Sequence, residues 1–575
     1  MELSSRFVLF NGEAETAAAT APREMLLIAA VASALSMIST GFLFGIDNNV
    51  FHLPIVAGLY DEPQFHDDAF IQSLRHFASG IWLLLSRFDT YLGHTQGLFL
   101  GLAYLSRLLS FIGLLCCASL VGIVGTRDRM VFSLLICITT ILTGGSYGGL
   151  GGLFLNYFTH SEIANGTMLL AIYFAAKGRF TAATILVGAT FFINAFMAVW
   201  LVVLLGFVAI CLLARGDIPL GKACSQVLIG ALPAALLAAP VIIGIVSNPE
   251  FGPPLDFDYT LFLHQYFAGH SLIDAIPAGN LFALAALTLL GAIALYLLGP
   301  TARALQAAYG GAVVLYLTGA VLPLVTESPN LLNLHLLRSS VMFHLLAGLA
   351  IAALVTRWLR DTSRPAFLLG GIVALLLSAS ETAILVCIPV LLVAPRVLAA
   401  RRPLAPSLRA LGYLLLAYGA LIAGPLSAGQ AFTENRPLAN AIAEWDAVGR
   451  WARSATPAAA IFLVPTRLHD TPEPTPAHMA LMRPEIFEFA AHRRVWVDFK
   501  RGAAAMWMPS YYHLWRTRMN EVNPLTSLDQ RRTYARDHGI SYVIDHCDTA
   551  PAAAEAIYHT AQLCVFPADA PQAAR

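Results

Sequence analysis

Long apolar stretches alternate with short polar segments over the first three quarters of the chain. Each stretch is apolar enough for a membrane helix, although several are shorter than the roughly 20 residues that cross the hydrocarbon layer. The predicted spans are residues 25–46, 96–122, 130–147, 162–176, 181–194, 196–214, 224–246, 279–298, 305–325, 341–356, 366–379, 381–395 and 410–428. The pattern therefore predicts a polytopic helical membrane protein with about thirteen spans.

The charges between the spans indicate the orientation. If the N-terminus is inside, the inside gaps collect most of the basic residues and the outside gaps hold only Arg75, Arg87 and Arg338. The inside set is Arg6, Arg23, Arg127, Arg129, Lys177, Arg179, Arg215, Lys222, Arg303, Arg357, Arg360, Arg364, Arg396, Arg401, Arg402 and Arg409. Because Lys and Arg near spans are retained in the cytoplasm, this alternation predicts a cytoplasmic N-terminus.

Three domains follow from this orientation. Residues 1–24 are predicted to be a cytoplasmic segment, and residues 25–428 a transmembrane core. Residues 429–575 are predicted to form an extracytoplasmic domain. The core carries three long outward loops, at residues 47–95, 247–278 and 326–340. Basic residues on both sides of 366–395 favour a helical hairpin there over one tilted helix, because a single helix would place one basic cluster outside.

Composition supports the membrane assignment. The chain is 57% hydrophobic and only 12% charged, which is too apolar for a soluble protein. Its net charge of zero gives no reason to expect a nucleic-acid partner. Of the eight cysteines, only Cys547 and Cys564 fall in the predicted outer domain, which leaves room for one disulfide there.

Local patterns predict further elements on the outer side. Leu74, Phe77, Ile81, Leu84, Leu85 and Phe88 recur at helical spacing, which predicts one amphipathic helix lying in the membrane interface. The glycine run at 144–152 indicates a backbone that is flexible or that another group approaches closely. β-rich runs at 460–464, 494–499, 540–544 and 562–566 alternate with helical segments, so the outer domain is predicted to be α/β with a mainly parallel sheet.

Three aspartates in the first outward loop are candidate catalytic residues. Asp47 follows the first span directly, and Asp67 and Asp68 lie about twenty residues further on. A carboxylate at a membrane boundary can act as a general base on an acceptor hydroxyl. The alternative is that these residues solvate the loop or cap helices, as the sequence HDDAF suggests for Asp68.

Arg338 is the outward basic residue that most clearly breaks the charge rule. With His335 nearby, its guanidinium could grip a lipid-linked phosphate in bidentate fashion. The alternative is a pair with Glu327 or an interfacial side chain that reaches the headgroups. Arg107, in the middle of a span, is a similar but weaker anomaly.

Other outward residues are weaker candidates for binding. His264 and His270 could contact a leaving group, although single histidines are more often structural. Glu381, at the tip of the predicted hairpin, could face the same cavity or mark the turn. Asp256 and Asp258 form a D-x-D pair, a weak candidate for a divalent cation. No cofactor beyond such a cation is predicted.

The acidic first loop, the interfacial helix, the many spans and the outward α/β domain together resemble the GT-C class of integral-membrane glycosyltransferases. The segment FTHSEIANGTMLLAIYFAAKGRFTAATILVGATFFINAF looks like the paired helices that follow the glycine-rich outer loop in such proteins. TPAAAIFLVP and RRVWVDFKRG look like segments of related bacterial multi-pass proteins. Where many members have a His-Pro pair, this chain has Asn194 and Ala195.

The resemblance implies transfer of a sugar from a polyprenyl-phosphate carrier to a glycan, lipid or protein acceptor at the periplasmic face of a bacterial inner membrane. By match to the class pattern, the base is Asp47 or Asp68. Three alternatives stay open from the sequence: a membrane transporter, an O-antigen polymerase or ligase, and a non-catalytic membrane scaffold. Transport is disfavoured because the middle of the spans is nearly free of charge and the polar residues gather at one face.

Overall fold

The computed structural model describes residues 22–87, 94–399, 403–466, 476–547 and 556–569. Most of the predicted cytoplasmic segment, the end of the first outward loop with Phe88, and the basic pair Arg401 and Arg402 lie outside these ranges. The helices in the described ranges are α1 Pro22–Thr40, α2 Asn49–Val56, α3 Ala69–Ser73, α4 Gly80–Leu85, α5 Thr95–Leu120, α6 Thr126–Ile138, α7 His160–Ala176, α8 Phe180–Ile193, α9 Ala195–Ala214, α10 Leu220–Val246, α11 Tyr259–Phe262, α12 Ala278–Leu298, α13 Arg303–Val325, α14 Pro329–Leu332, α15 Val341–Trp358, α16 Pro365–Ala379, α17 Ile384–Ala399, α18 Pro406–Tyr418, α19 Gly424–Ala455, α20 Pro476–Leu481, α21 Phe487–Ala491, α22 Tyr511–Val522 and α23 Leu528–Asp537.

Each predicted apolar stretch contains a helix. Within the described ranges, nine helical segments are long and apolar enough to cross a membrane. They are Pro22–Thr40, Thr95–Leu120, Ala195–Ala214, Leu220–Val246, Ala278–Leu298, Pro300–Val325, Pro329–Trp358, Glu381–Ala399 and Pro406–Ala455. The other four, α6, α7, α8 and α16, have 13 to 17 residues. The chain is therefore a helical membrane protein, and thirteen crossings remain a prediction.

Helix α15 forms the centre of the apolar helices. Every one of its residues is buried except Arg357 near its end. Its 18 residues rise about 27 Å, close to the thickness of the hydrocarbon layer. Arg357 at the far end donates to the carbonyl oxygens of Val121 and Leu298, at 2.6 and 3.0 Å. Arg338 precedes the near end of α15. Arg357 and Arg338 therefore lie at opposite ends of this helix, and the outward loops lie at the end with Arg338.

The segment 365–399 is a hairpin of two helices. Helix α16 ends at Ala379, and α17 begins at Ile384 after a 3₁₀ turn at Glu381–Ala383. Ser380 is extended and its hydroxyl accepts from the amide N–H of Thr382, which stabilises the turn. The two helices pack on each other. This arrangement returns the chain to the end from which it came, as the charge pattern predicted.

The prediction of one amphipathic helix in the first outward loop is wrong. The chain forms α3, a 3₁₀ turn at Leu74–His76 and then α4, with an extended break at Phe77. The Ser79 hydroxyl donates to the carbonyl oxygen of Ile193 at 2.7 Å, and Gly80 lies against the ring of Phe192 with no room for a Cβ atom. These contacts to α8 interrupt the helix because they hold the backbone in a non-helical conformation.

The C-terminal region contains a mixed sheet. Its strands are β3 Ile461–Leu463, β4 Arg494–Val495, β5 Tyr542–His546, β6 Tyr558–His559 and β7 Leu563–Pro567, in the order β4-β3-β5-β7-β6. A separate short hairpin pairs β1 Gly144–Gly145 with β2 Gly152–Leu153. Strand β3 is parallel to β4 and β5, but β7 is antiparallel to β5 and β6. The prediction of a mainly parallel sheet is thus wrong, because the chain returns beside β5 and a Cys547–Cys564 disulfide joins the pair.

The C-terminal region shares one hydrophobic core with the outward loops. That core includes Phe65, Phe70 and Trp82 of the first loop and Trp445 and Trp515 of the C-terminal region. Helix α19 runs without a break through residues 428 and 429, where the predicted boundary lies. The sheet is therefore packed directly on the end of the helices that carries the outward loops.

Candidate functional site

A polar cleft lies where the β1–β2 hairpin, the starts of α7 and α9, and the turn before α15 meet. The cleft is narrow, with a free volume of about 20 Å³. It is lined by Gly151, Gly152, Ser161, Asn165, Asn194, Phe196, Met197, Trp200, His335, Arg338 and Val341. The lining contains several hydrogen-bond donors and no carboxylate, which favours an anion over a cation.

The glycine run forms one wall of the cleft by close backbone approach. A Cβ atom on Gly149 would lie 2.4 Å from the carbonyl oxygen of Leu337, and one on Gly151 would lie 2.8 Å from that of Arg338. Ser146 accepts from the amide N–H of Gly151 and is hydrogen-bonded to Ser340 at 2.8 Å. Larger residues would push the hairpin away from the turn that carries Arg338.

Arg338 is the one strong charge in this lining. Its side chain is half-buried, and its guanidinium makes no ion pair or hydrogen bond with any described residue. The predicted alternative, a pair with Glu327, is not formed, and Glu327 is exposed. A half-buried cation without a partner is costly, so its placement in a cleft indicates a site for an anionic ligand.

Asn194 and His160 add donors beside Arg338. The Asn194 amide nitrogen lies 3.1 Å from the Ser161 hydroxyl and 3.3 Å from His160 Nε2, while its oxygen caps α9 by accepting from Met197 N–H. Trp82 Nε1 can only donate, so His160 Nδ1 accepts from it at 3.1 Å. A neutral His160 then carries its proton on Nε2, so Nε2 and the Asn194 amide nitrogen are both donors and form no hydrogen bond with each other.

Of the three predicted histidines, His335 lines the cleft, His270 packs against His335, and His264 lies away from both. His335 lines the cleft, its Nδ1 lies 3.2 Å from the Ser271 hydroxyl, and its ring centroid is 5.9 Å from that of His270. Burial, together with nearby Arg338, lowers the pKa of His270 and keeps its ring neutral. His264 is exposed and 3.2 Å from Asp274, away from this group.

Asp47 lies at the border between the cleft region and the C-terminal region. Its Oδ1 is 2.5 Å from the guanidinium of Arg483, which also meets Glu485 at 3.2 Å. Tyr157 is within electrostatic reach of both Asp47 and Arg338. Burial lowers the pKa of Arg483, but the two carboxylates outweigh it and raise the net value. Burial raises the pKa of Glu485 to about 7, although Arg483 opposes this.

The other two aspartates of the loop are placed differently. The Asp68 carboxylate caps α3 by accepting from the amide N–H of Ile71 at 3.0 Å. Its second oxygen lies 3.7 Å from Arg494 in the C-terminal region. Asp67 is exposed. The structure therefore gives Asp68 the capping contact that the sequence offered as its alternative, whereas Asp47 is held by an ion pair with Arg483.

The remaining predicted site residues do not reach the cleft lining. Glu381 lies at the tip of the α16–α17 hairpin beside Tyr147. Asp256 is exposed and 3.0 Å from His513, and Asp258 caps α11 by accepting from Leu261 N–H. Over the described ranges, no group of three His, Cys, Asp or Glu side chains could hold a metal ion.

Arg107, the other unusual arginine, is enclosed among helices. Its Nε lies 3.6 Å from the Glu162 carboxylate, and its terminal nitrogens donate to the Ser36 hydroxyl and the Leu155 carbonyl oxygen. Its guanidinium also stacks on the ring of Phe154 at 4.5 Å. Arg107 therefore has an ion-pair partner and several hydrogen bonds within the protein, although its Nε makes no hydrogen bond.

Sequence reasoning missed two polar residues of this region. Asn194 lines the cleft but was recognised only as a departure from a family pattern. Arg483, which pairs with Asp47, comes from the C-terminal region, where the sequence indicated no candidate site residue.

Comparisons with known proteins leave the family open. Residues 443–522 match the model of a domain of unknown function, DUF6798. No curated protein matches the chain. Among solved structures, the chain is similar to a cryo-EM structure of the arabinofuranosyltransferase AftD from Mycobacteria, at 14% identity and a TM-score of 0.37. That match covers 93% of this chain and 36% of the other, so the chain spans about a third of its length. A likeness this weak supports no conclusion about activity.

Proposed function

We propose that this protein is an integral-membrane glycosyltransferase that takes its sugar from a polyprenyl-phosphate-linked donor. The observation that carries the proposal is Arg338, an unpaired guanidinium in a donor-lined cleft at the end of the membrane helices. A lipid-linked phosphate presents an anion at this depth, because its isoprenoid chain stays in the bilayer while the phosphate lies at the boundary.

The cleft offers the groups that a phosphate leaving group needs. Arg338 can donate two parallel hydrogen bonds to phosphate oxygens, and Asn194 and Ser161 add further donors. As the bond between the anomeric carbon and the phosphate oxygen breaks, the electron pair remains on that oxygen. Preformed donors stabilise this developing charge without reorganising, which is the largest contribution in many enzymes.

Asp47 is the proposed general base. Oδ1 is held by Arg483, whereas Oδ2 accepts no hydrogen bond from any described residue. The acceptor hydroxyl would lose its proton to Oδ2 as its oxygen attacks the anomeric carbon. One base and one leaving group on opposite sides of the sugar correspond to a single displacement with inversion. Asp68 is a weaker choice because its carboxylate caps a helix.

Backbone conformation adds support for the same region. Five non-glycine residues in the described ranges have positive φ: Asp47, Leu150, Phe154, His335 and His492. Of these, His335 lines the cleft and Leu150 directly precedes Gly151 in its wall. Such conformations cost on the order of 1–3 kcal/mol each and are concentrated at functional sites.

The proposed side of the membrane rests on the charge pattern. Arg357 and Arg360 lie at the end of the helices opposite the cleft, where Arg360 pairs with Asp128 at 2.7 Å. The positive-inside rule places that end in the cytoplasm. The cleft and the C-terminal sheet would then face outward, toward the periplasm of a bacterial cell.

The test is sugar transfer by membranes from cells that express the protein, followed by mass detection of glycans and lipid-linked sugars. Wild type is compared with Arg338→Ala and Asp47→Asn at matched expression. Arg75→Ala is the control, because Arg75 lies in the first outward loop but is exposed and paired with Asp61. We expect transfer by wild type and the control, and at least a ~100-fold loss in the other two. Equal glycan and lipid-linked pools with and without wild type would contradict the proposal.

A further inference from the structure

The lining of the cleft contains one buried acceptor among its donors. Asn165, in the second turn of α7, lines the cleft and is only 4% exposed. Its Nδ2 donates to the carbonyl oxygen of Gly152 at 3.2 Å. Its Oδ1 is buried and accepts no hydrogen bond from any described residue. Because a buried acceptor without a donor is costly, a ligand that brings a donor to this oxygen gains affinity.

The partner of Asn165 fixes the orientation of its amide. A carbonyl oxygen only accepts, so the Asn165 atom that faces Gly152 must be the nitrogen. Rotation of the amide by half a turn would set two oxygens against each other. The unpartnered atom is therefore the oxygen, and the group that it lacks is an N–H or O–H donor.

Ser161 lies one turn before Asn165 and offers a donor instead. Its hydroxyl oxygen accepts from the Asn194 amide nitrogen at 3.1 Å, which leaves its own proton for another acceptor. Residues four apart on a helix lie on one face, with about 5–6 Å between their Cβ atoms. The cleft is also narrow, so a ligand that reaches Arg338 lies close to the other lining residues. A phosphate bound by Arg338 and Ser161 would therefore hold its own substituents beside Asn165.

The glycosyl phosphate of the proposed donor has the complementary pattern. Its phosphate oxygens accept hydrogen bonds, whereas the carbon next to the anomeric carbon carries a hydroxyl group in an ordinary aldose. That hydroxyl is the donor group of the sugar nearest to the phosphate along the covalent chain. The phosphate ester of a plain alcohol has no such group and would leave the Asn165 oxygen unpaired.

We infer that Asn165 is a specificity-determining residue of the cleft, which accepts a hydrogen bond from the hydroxyl on the carbon next to the anomeric carbon of the donor sugar. The inference rests on the proposed function and extends it to the class of donor, because it favours a sugar with this hydroxyl over its deoxy analogue. A site built to hydrogen-bond a substrate hydroxyl rejects the analogue that lacks it, since the buried partner is then left unpaired.

Two small phosphate esters test this whatever the identity of the sugar. Ethyl phosphate and 2-hydroxyethyl phosphate differ by one hydroxyl group, which is placed relative to the phosphate as in a glycosyl phosphate. Phosphorus NMR titrations would measure the affinity of each ester for the full-length protein in mild detergent. We expect wild type to bind 2-hydroxyethyl phosphate about tenfold more tightly than ethyl phosphate. The readout is a ratio within one protein, which a merely structural role of Asn165 would not move.

Substitution assigns the preference to Asn165. In Asn165→Ala, the affinity for 2-hydroxyethyl phosphate should fall to that for ethyl phosphate, which should itself change little. Thr167→Val is the matched control, because the Thr167 hydroxyl is on the same helix, 2.8 Å from that of Thr190, and is not among the described groups that line the cleft. This control should keep the preference. Arg338→Ala should lose both esters.

The outcomes separate this inference from the proposed function. Equal affinities of wild type for the two esters, with binding lost in Arg338→Ala, would overturn the role of Asn165 and leave the phosphate site standing. A preference that persists in Asn165→Ala, or an equal fall of both affinities there, would also overturn that role. Binding of neither ester to wild type would remove both the inference and the phosphate site.

Discussion

Arg107 and Arg338 both lie in apolar surroundings, but the protein supplies a carboxylate to Arg107 and none to Arg338. Arg107 has an ion pair with Glu162 and hydrogen bonds to the Ser36 hydroxyl and the Leu155 carbonyl oxygen. Around Arg338, the lining consists of further donors and glycine backbone. The charge of Arg107 is balanced by a carboxylate of the protein, whereas the charge of Arg338 is balanced only when an anion binds.

This difference separates two explanations for a charge in a membrane protein. A buried charge must be paired, because its desolvation costs several kcal/mol. When the partner is a side chain, the charge holds helices together and removing it should affect stability. When the partner is a ligand, removing the charge should affect binding and leave the fold unchanged.

The largest effect on stability is expected at the closed pair. Arg107→Ala leaves Glu162 buried without its cation and should lower the free energy of unfolding by about 3–5 kcal/mol. Arg338→Ala should lower it by less than about 1 kcal/mol, because no hydrogen bond or ion pair is lost. Unfolding of the detergent-solubilised variants would measure both, and equal losses would contradict the distinction.

For Arg338 we expect a small effect on stability but a large effect on activity. Arg338→Ala should reduce kcat/KM for sugar transfer about 100-fold or more, with an unchanged unfolding temperature. Arg338→Lys should retain part of the activity, because it keeps the charge but loses the bidentate geometry. A variant that lost activity only together with its fold would assign Arg338 to stability instead.

The surroundings of Arg338 can also be made to resemble those of Arg107. Asn194→Asp places a carboxylate in the cleft and keeps the oxygen that caps α9. We expect about a tenfold loss of phosphate affinity, because the new charge competes with the ligand for the cations. Asn194→Ser, which can still cap the helix but adds no charge, is the control. Tighter phosphate binding by the aspartate variant would count against an anion site.

The smallest expected effect is the dependence of the unfolding temperature on pH that arises from Glu485. Burial raises its pKa to about 7, above the ordinary value of 4.5, so the folded state binds the proton more tightly than the unfolded chain does. The resulting stability is present below about pH 4.5 and is lost as the pH rises through 7. The unfolding temperature should therefore fall by roughly 1–3 °C between pH 5 and 8. Glu485→Gln should flatten that part of the profile, and an unchanged slope would contradict the assignment.

Local sequence determined much of the fold. Helices formed at every apolar stretch because length and apolarity are properties of a short segment. Distant contacts decided the rest. The hydroxyl of Ser79 reaches Ile193 and breaks a helix that its own neighbours favour. Strand β7 pairs antiparallel to β5, a direction that residue type does not encode.

The site was predictable only where a residue broke a pattern. Arg338 was identified because it is a basic residue on the predicted outer side, where the positive-inside rule predicts few basic residues. Asp47 could not be separated from Asp68 by sequence, since the difference lies in a cap to Ile71 and an ion pair to Arg483. Arg483 is far from Asp47 along the chain, and only folding brings the two charges together.

The most direct test of the phosphate site is the lipid that the protein retains on purification. Wild type, Arg338→Ala and Arg75→Ala would be purified in mild detergent and examined by native mass spectrometry, with lipid extraction to identify any bound species. We expect a polyprenyl-phosphate lipid with wild type and with Arg75→Ala, and its loss from folded Arg338→Ala. Retention of the same lipid by Arg338→Ala, or no phosphate-bearing lipid on wild type, would contradict the account.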